Sequence, residues 1–232
     1  DHARGHAMTP APAADAGTPP PRSERRSVVI ENVDWETYEK ILEAFDERYN
    51  ARFAYDNGAL EIMAPISFEH EGDKEVLGDL VKILARAFGL PVRGGGSATM
   101  RLKQVLKGID PDKCYWLPNA PKLAGVKQLD LAIHPPPDLA FEIEVTSDPL
   151  DKLGIYAAIG VPELWRLDGD DLRFHRLGAD GTYTEVPTSH AFPGVAPTGL
   201  MTFVKDARVA ADQGTVTRAF REWAKGRAGG GA

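Results

Sequence analysis

Acidic side chains recur on one side of a short apolar stretch, at Asp138, Glu142 and Glu144. Successive side chains of a strand point to opposite faces, so these three acids would share a face. The opposite face is apolar and consists of Leu139, Phe141, Ile143 and Val145. Carboxylates on one face repel one another, and a buried carboxylate is costly unless it is paired or bound to a cation. The pattern therefore indicates either a solvated outer face, common in antiparallel sheets, or a magnesium site built from oxygen ligands.

A lysine follows this strand in the first turn of the next predicted helix. With Asp148 as its cap and Pro149 at its first position, that helix places Lys152 close to Glu142 and Glu144. A lysine at a helix N-terminus is unfavourable for the helix dipole. Lys152 is either an ordinary surface lysine or a cation that orients a water or stabilises a phosphoryl oxygen beside the carboxylates.

Two other side chains are expected to approach this group. Asp112 precedes Glu142 by 30 residues, enough for one excursion and a return to a neighbouring strand, where the two carboxylates would meet. The alternative for Asp112 is an ordinary turn, for which Asp110-Pro111-Asp112 is a typical sequence. Tyr156 lies one helical turn beyond Lys152, so its hydroxyl either reaches the same group or packs in the core.

The elements that position these residues follow from the spacing of apolar side chains. Helices are predicted over residues 35–49, 69–88, 149–159 and 216–225, and strands over residues 52–55, 59–64, 97–106, 113–117, 139–145, 163–167, 172–177 and 183–186. Asp56-Asn57-Gly58 predicts a tight hairpin turn, because Asn and Gly accept positive φ. The glycines of Arg93-Gly94-Gly95-Gly96 predict a flexible turn and not a phosphate-binding loop, since no Gly-Lys-Ser/Thr ending follows. The order of elements indicates one mixed α/β domain over residues 28–226.

Both ends of the chain are predicted to lie outside that domain. Residues 1–7 precede the first methionine, Met8, and are interpreted as an expression remnant. Residues 9–26 are rich in Ala, Pro, Ser and Thr and predict a flexible arm, so that residues 1–27 form one flanking segment. Residues 227–232, mostly glycine, predict a flexible tail.

Composition excludes several classes of protein. The 232 residues include 43% apolar and 26% charged residues, ordinary values for a globular protein. The single cysteine, Cys114, excludes a disulfide framework and a cysteine-rich zinc site, and it is consistent with a reducing cytoplasmic location. The net charge of −7 argues against a protein that coats nucleic acid through bulk basic charge. No apolar run is long enough for a membrane span, and no secretory apolar core follows the first residues.

Several segments, taken in order, resemble a known family. They are residues 107–115 with Pro111-Asp112, residues 136–147 with Glu142-Ile143-Glu144, residues 155–165, and upstream residues 58–65 with His70. With Lys152, this arrangement resembles the PD-(D/E)XK nuclease superfamily and, more closely, the Uma-type family of restriction endonucleases. The resemblance extends over about residues 30–190, most of the predicted domain.

The resemblance implies a restriction-endonuclease-like mixed sheet flanked by helices and a magnesium-dependent phosphodiesterase site. Asp112, Glu142 and Glu144 would bind Mg²⁺, or Mn²⁺ in its place. Glu144 stands where the E-x-K motif has lysine, and members of this family commonly carry an acid there. Lys152, on the following helix, would then supply the lysine. In the implied mechanism the metal activates a water, and Lys152 positions or deprotonates it for in-line attack on a phosphodiester.

Two further catalytic residues, Glu61 and His70, are assigned by the same resemblance. The alternative for Glu61 is a solvated strand position, because its neighbours Leu60 and Ile62 are the residues predicted to face the core. The alternative for His70 is a polar residue near a helix terminus. With the resemblance, His70 is expected to lie at the site, where a histidine titrates near neutrality or contacts the metal.

A basic run of Arg101, Lys103 and Lys107 precedes Asp112 and is either a solvated strand face or a set of contacts to DNA phosphates. The function predicted from all these residues is a metal-dependent endonuclease that hydrolyses DNA. A catalytically degenerate nuclease-fold module that binds DNA or a protein, and a metal phosphohydrolase of small substrates, are the alternatives. Cleavage of both strands would suit a homodimer or a higher homo-oligomer, because a two-fold axis matches the duplex.

Overall fold

A computed structural model of the chain describes residues 27–45, 51–63, 68–144 and 149–229 and divides its strands between two sheets. The strands are β1 (Ser27–Ile30), β2 (Arg52–Asp56), β3 (Ala59–Met63), β4 (Arg93–Gly96), β5 (Met100–Leu102), β6 (Lys107–Ile109), β7 (Lys113–Trp116), β8 (Leu139–Glu144), β9 (Glu163–Asp168), β10 (Asp171–Leu177) and β11 (Tyr183–Val186). The helices are α1 (Trp35–Phe45), α2 (Phe68–Ala87), α3 (Lys152–Ile159), α4 (Pro197–Val209) and α5 (Gln213–Gly229). Two short 3₁₀ turns cover Lys103–Val105 and Ala120–Leu123.

The first sheet has the order β1-β3-β2-β6-β5 and is antiparallel throughout. The second has the order β11-β10-β9-β8-β7-β4, and its only parallel pair among the described strands is β8 with β9. Helix α3 makes the crossover between these two parallel strands. The expected mixed α/β fold, restriction-endonuclease-like and flanked by helices, is therefore confirmed, with its strands in two sheets.

Three apolar cores hold these layers together. The largest packs α2, α4 and α5 against one face of the second sheet, where Leu139, Phe141 and Ile143 of β8 lie. The second lies between the other face of that sheet, helix α3 and the first sheet, and it includes Ala54, Met63, Ala140 and Tyr156. The third packs α1 against the outer face of the first sheet. The second core matters most for function, because the acidic face of β8 points into it.

The predicted helices and strands are largely present, with shifted ends. Helix α1 is described as far as Phe45, and the end predicted for it at residue 49 lies outside the described part of the chain, as do residue 64 after β3 and Val145 after β8. Helix α3 begins at Lys152 instead of Pro149. Asp151 caps it, accepting a hydrogen bond from the Gly154 amide at 3.1 Å, and the predicted cap Asp148 lies outside the described residues.

The C-terminal part holds more helix than predicted. Helix α4 has no counterpart among the sequence predictions, and α5 covers Gln213–Gly229, so three residues of the predicted flexible tail are helical. Residues 1–26 and 230–232 are outside the described residues, and the predicted arm and the end of the tail fall there.

The glycine-rich segment was predicted wrongly as a turn and is the edge strand β4. A Cβ atom at Gly95 would lie 2.6 Å from the Trp116 ring and 2.7 Å from the Cys114 sulfur. The glycine is needed for this close approach. The strand predicted over residues 97–106 is also wrong in part, because only Met100–Leu102 is extended before the 3₁₀ turn.

Candidate active site

The link between the two sheets carries the first site residue. Strand β6 ends at Ile109 in the first sheet and β7 begins at Lys113 in the second, so Asp112 lies where the sheets meet. Its side chain is buried, and its Oδ2 atom accepts a hydrogen bond of 2.7 Å from the Ile143 amide of β8. The interpretation of Asp112 as a mere turn residue is therefore wrong.

Arg52, at the start of β2, binds this carboxylate and was not among the predicted site residues. Its Nη1 atom donates to Asp112 Oδ1, and Nη2 donates to the Asp110 carbonyl at 2.6 Å. Nη2 also lies 3.9 Å from Glu142 Oε2, so the guanidinium bridges the two acids. Burial opposes ionisation of Asp112, but Arg52 and His70 outweigh it and hold the pKa of this carboxyl below its usual range.

Glu142 of β8 is buried beside Asp112 on the face that packs against α3. The Tyr156 hydroxyl donates a hydrogen bond to Oε1, and Lys152 Nζ lies 3.8 Å from Oε2. Burial and the neighbouring Asp112 raise the pKa of Glu142, against the opposing effects of Lys152 and Arg52. Burial also raises the pKa of Tyr156 well above its usual value, so this hydroxyl stays a donor. A solvated outer face is thus the wrong interpretation for Glu142.

Lys152 is 7% exposed, which excludes the interpretation of an ordinary surface lysine. It is the first residue of α3, the helix that lies in the chain between the parallel strands β8 and β9. A lysine is rarely buried unless it is paired. Here the paired group is Glu142, so the helix start delivers a cation to the acidic cluster.

His70 comes from helix α2 and completes the surroundings of Asp112. Its Nε2 atom lies 3.3 Å from Asp112 Oδ1 and 3.2 Å from the Ile143 carbonyl. Both of these oxygens are hydrogen-bond acceptors, so Nε2 is the ring nitrogen that carries the proton and donates it to them. His70 is 3% exposed, and the structure brings it to the site as the resemblance implied.

Glu61 lies on the same face of the first sheet as Arg52. Arg52 is opposite Met63 in the antiparallel register and Ala54 is opposite Glu61, so Arg52 and Glu61 are diagonal neighbours. Glu61 is 0% exposed, which overturns its interpretation as a solvated strand residue. Neither of its carboxylate oxygens has a hydrogen-bond partner among the residues described.

Two other acids of the predicted cluster behave differently. The backbone of Glu144 pairs with Asp168 at the end of β8, and its side chain lies outside what the structure describes. Asp138 precedes β8 and accepts hydrogen bonds from the Leu117 and Asn119 amides and the Asn119 side chain. Asp138 therefore stabilises a turn and is not part of a row of three carboxylates.

Asp110 was treated in the sequence only as part of a turn, but it is buried next to the site. Its Oδ2 atom accepts a hydrogen bond of 2.8 Å from the Phe53 amide. Burial raises the pKa of Asp110 to about 6. The Asp-x-Asp spacing was the available signal, since it places two acids at the junction of the sheets.

The basic run lies apart from the carboxylates. Lys107, at the opposite end of β6 from Asp110, forms an ion pair with Asp56. Arg101 lies 3.9 Å from Glu39, and with Lys103 it lines a cleft of about 400 Å³ beside α1. The structure thus gathers Asp112, Glu142, Lys152 and His70 but does not bring the basic run to them.

The carboxylate oxygens at this site are the type of ligand that a hard cation such as Mg²⁺ prefers. In the described part of the chain, no group of three or more His, Cys, Asp or Glu side chains is arranged to hold a metal ion. Asp112 and Glu142 are nevertheless two adjoining, buried carboxylates, and Mg²⁺ is usually bound by one or two carboxylates with waters completing its shell. These two residues would hold it, in the place that the Arg52 guanidinium now bridges.

None of the described helices is both long and apolar enough to span a membrane. No curated protein matches the chain. A family model, Uma2, described as "Putative restriction endonuclease", matches residues 35–204. The matched range runs from the start of α1 into α4 and contains Asp112, Glu142 and Lys152. The chain therefore belongs to the Uma2 family of the PD-(D/E)XK superfamily.

Proposed function

We propose that this protein is an endonuclease that hydrolyses DNA phosphodiester bonds with Mg²⁺, or Mn²⁺ in its place. The observation that carries the proposal is the convergence of Asp112, Glu142 and Lys152. They come from a sheet junction, a strand and a helix start, yet they share one buried cluster. Membership of the Uma2 family supports a nuclease in general.

Each residue of the cluster has a distinct part in the proposed reaction. The Ile143 amide and His70 fix the carboxylate of Asp112, and the Tyr156 hydroxyl fixes that of Glu142. When bound, the ion would supply a water of lowered pKa and neutralise charge on the phosphate. Lys152, held beside Glu142, donates hydrogen bonds to a phosphoryl oxygen or orients the attacking water.

The remaining assignments extend the same proposal. Glu144 would be a third ligand, because it follows Glu142 by two residues on the same strand face. Arg101 and Lys103, which line the cleft beside α1, and Lys107 would contact DNA phosphates, and Lys107 would first have to leave its ion pair with Asp56. We further propose a homodimer or higher homo-oligomer in the cytoplasm, since two-fold symmetry suits cleavage of both strands.

Nicking of supercoiled plasmid tests the proposal. Wild type is expected to nick with Mg²⁺ or Mn²⁺ and to stop with EDTA. Asp112→Asn should lose more than the roughly 10–100-fold expected for a residue outside the metal's ligand set. Asp79→Asn, at an exposed position of α2, is the matched control and should cleave like wild type. Equal cleavage by wild type and Asp112→Asn would reject this site.

One observation favours a second candidate, a catalytically degenerate nuclease-fold module. The Arg52 guanidinium bridges Asp112 and Glu142, and a permanent bridge would keep metal out. Such a protein would bind DNA, remain folded and bind no divalent cation. Calorimetric titration with Ca²⁺ or Mg²⁺ separates the candidates, because the endonuclease must bind the ion without DNA present.

A further inference from the structure

Arg52 lies at the place where the proposed function puts the divalent cation. The guanidinium donates to Asp112 and lies 3.9 Å from Glu142, the two residues proposed to hold the cation. A divalent ion there would lie next to a buried positive charge, and repulsion between buried charges is weakly screened. Arg52 and the ion therefore compete for the same two carboxylates.

Glu61 has the properties of a second acceptor for Arg52. It is 0% exposed, and both of its oxygens lack a hydrogen-bond partner among the described residues. A carboxylate buried in this way is costly unless a cation or donor reaches it. Glu61 forms no ion pair with any residue that the structure describes. The strand register shows which basic side chain lies nearest to it on the same face of the first sheet.

The register identifies that cation as Arg52. The two residues are diagonal neighbours on adjacent strands and point to the same face, where Cβ atoms lie about 7–8 Å apart or less. An arginine side chain covers such a distance by rotation about its own torsions, with β2 and β3 unmoved. The Arg52 Nε atom is buried and has no acceptor among the described residues, so its present bonds do not use the whole guanidinium.

We propose that Arg52 and Glu61 are a positioning pair for the cation site. Arg52 balances Asp112 and Glu142 while no divalent cation is bound, and it moves to Glu61 when the cation binds. This inference rests on the proposed function, because it assumes that Asp112 and Glu142 hold the ion. Glu61 would then act through Arg52 and not as a ligand.

Calcium binding in the absence of DNA, measured by calorimetry, tests the pair. Glu61→Gln removes the charge that receives Arg52 and should weaken Ca²⁺ binding by about tenfold, a coupling typical of residues in one charge network. Arg52→Met removes the competitor and should tighten binding. In the double variant, Glu61→Gln should have no further effect, because the residue through which it acts is gone.

Two additional variants guard against general damage. Glu163→Gln changes another fully buried glutamate, whose oxygens accept bonds from Trp165 Nε1 and the Ala191 amide, and it should leave Ca²⁺ affinity unchanged. Arg52→Lys keeps the charge if Arg52→Met fails to fold, and it should retain sensitivity to Glu61→Gln. Thermal unfolding of each variant, with and without Ca²⁺, provides a second readout.

The outcomes separate this inference from the proposed function. An equal loss on Glu61→Gln in the wild-type and Arg52→Met backgrounds would show direct ligation by Glu61 and overturn the pair. No loss in either background would also overturn it, with the proposed function intact if wild type still binds Ca²⁺ and nicks DNA. Absence of Ca²⁺ and Mg²⁺ binding in every folded variant would reject both.

Discussion

Two arginines, Arg52 and Arg208, each bond to a buried aspartate, and the clusters around them differ in how fully their polar groups are paired. Arg208 of α4 joins α2 to the turn between β9 and β10. Its Nε and Nη2 atoms donate to Asp73 at 2.9 and 2.8 Å, Nη1 donates to Asp170 at 2.6 Å, and Nη2 also reaches the Gly169 carbonyl at 2.8 Å. Every nitrogen of this guanidinium has an acceptor.

The Arg52 cluster is less completely paired. Arg52 donates to Asp112 and to the Asp110 carbonyl, but its Nε has no acceptor among the described residues, and its contact with Glu142 is long at 3.9 Å. Glu61 lies on the same sheet face without a partner among those residues. Among the residues that the structure describes in this cluster, acidic side chains outnumber basic ones.

The difference separates a structural tie from a site. A buried polar network that is fully paired makes a local structure rigid, whereas buried groups left unpaired cost free energy and indicate a missing ligand or an alternative arrangement. The Arg208 cluster fits the first description. The Arg52 cluster, with Lys152 and His70 beside it, fits the second.

The largest expected effect comes from replacing one lysine in each cluster and comparing the nicking rates of the two variants. Lys152→Met should lower the nicking rate by about 10²–10⁴-fold, the range for a residue that transfers or orients a proton in the transition state. Lys205→Met removes a half-exposed lysine 3.0 Å from Asp170 in the Arg208 cluster and should leave the rate unchanged. Single-turnover plasmid nicking at equal folded concentrations measures both. A similar loss in the two variants would remove the distinction.

The converse prediction concerns stability. Arg208→Met leaves the buried Asp73 without its bidentate partner and should lower the free energy of unfolding by about 3 kcal/mol, near the lower end for a broken buried pair. Specific nicking activity of the folded fraction should not change. Arg218→Met, which removes an exposed ion pair of 3.8 Å with Asp212, should cost less than about 1 kcal/mol in urea unfolding. A loss of activity without a loss of stability in Arg208→Met would contradict this assignment.

The approach of Asp112, Glu142 and Lys152 to one another could be predicted from the sequence. Alternation along β8 put Glu142 opposite an apolar face, and the helix after the strand put Lys152 near it, because both arguments use local periods. The prediction that Asp112 meets Glu142 rested on the 30 residues between them, which suffice for one excursion and a return to a neighbouring strand. These contacts depend on elements that are adjacent in the chain or separated by one excursion.

Arg52 and the burial of Glu61 required knowledge that local patterns do not contain. A strand with Arg52, Ala54 and Asp56 on one face resembles a solvated edge, and only the packing of the first sheet against α3 turns that face inward. The Gly95 strand was missed for a related reason. Gly95 leaves space for the Trp116 ring of the neighbouring strand β7, and an interpretation of glycine as a turn residue does not consider such a contact.

The smallest expected effect distinguishes two acids within the Arg52 cluster, Asp110 and Asp112, and it depends on pH. Burial raises the pKa of Asp110 to about 6, so the folded state binds a proton more tightly than the unfolded state. This group therefore contributes stability below its unfolded pKa and loses it as pH rises through about 6. The pKa of Asp112 is lowered, so its contribution has the opposite sign: it is present above the unfolded pKa and is lost in acid.

The variant Asp110→Asn tests this difference, because it keeps an acceptor for the Phe53 amide but cannot ionise. In EDTA it should be more stable than wild type above pH 6 by up to about 3 kcal/mol, since the pKa rises from 3.8 to about 6 and each pKa unit corresponds to about 1.4 kcal/mol. Urea unfolding should show that advantage shrinking between pH 6 and pH 4. A difference that stays constant over this range would contradict the prediction, because it would mean that the Asp110 carboxyl does not titrate there.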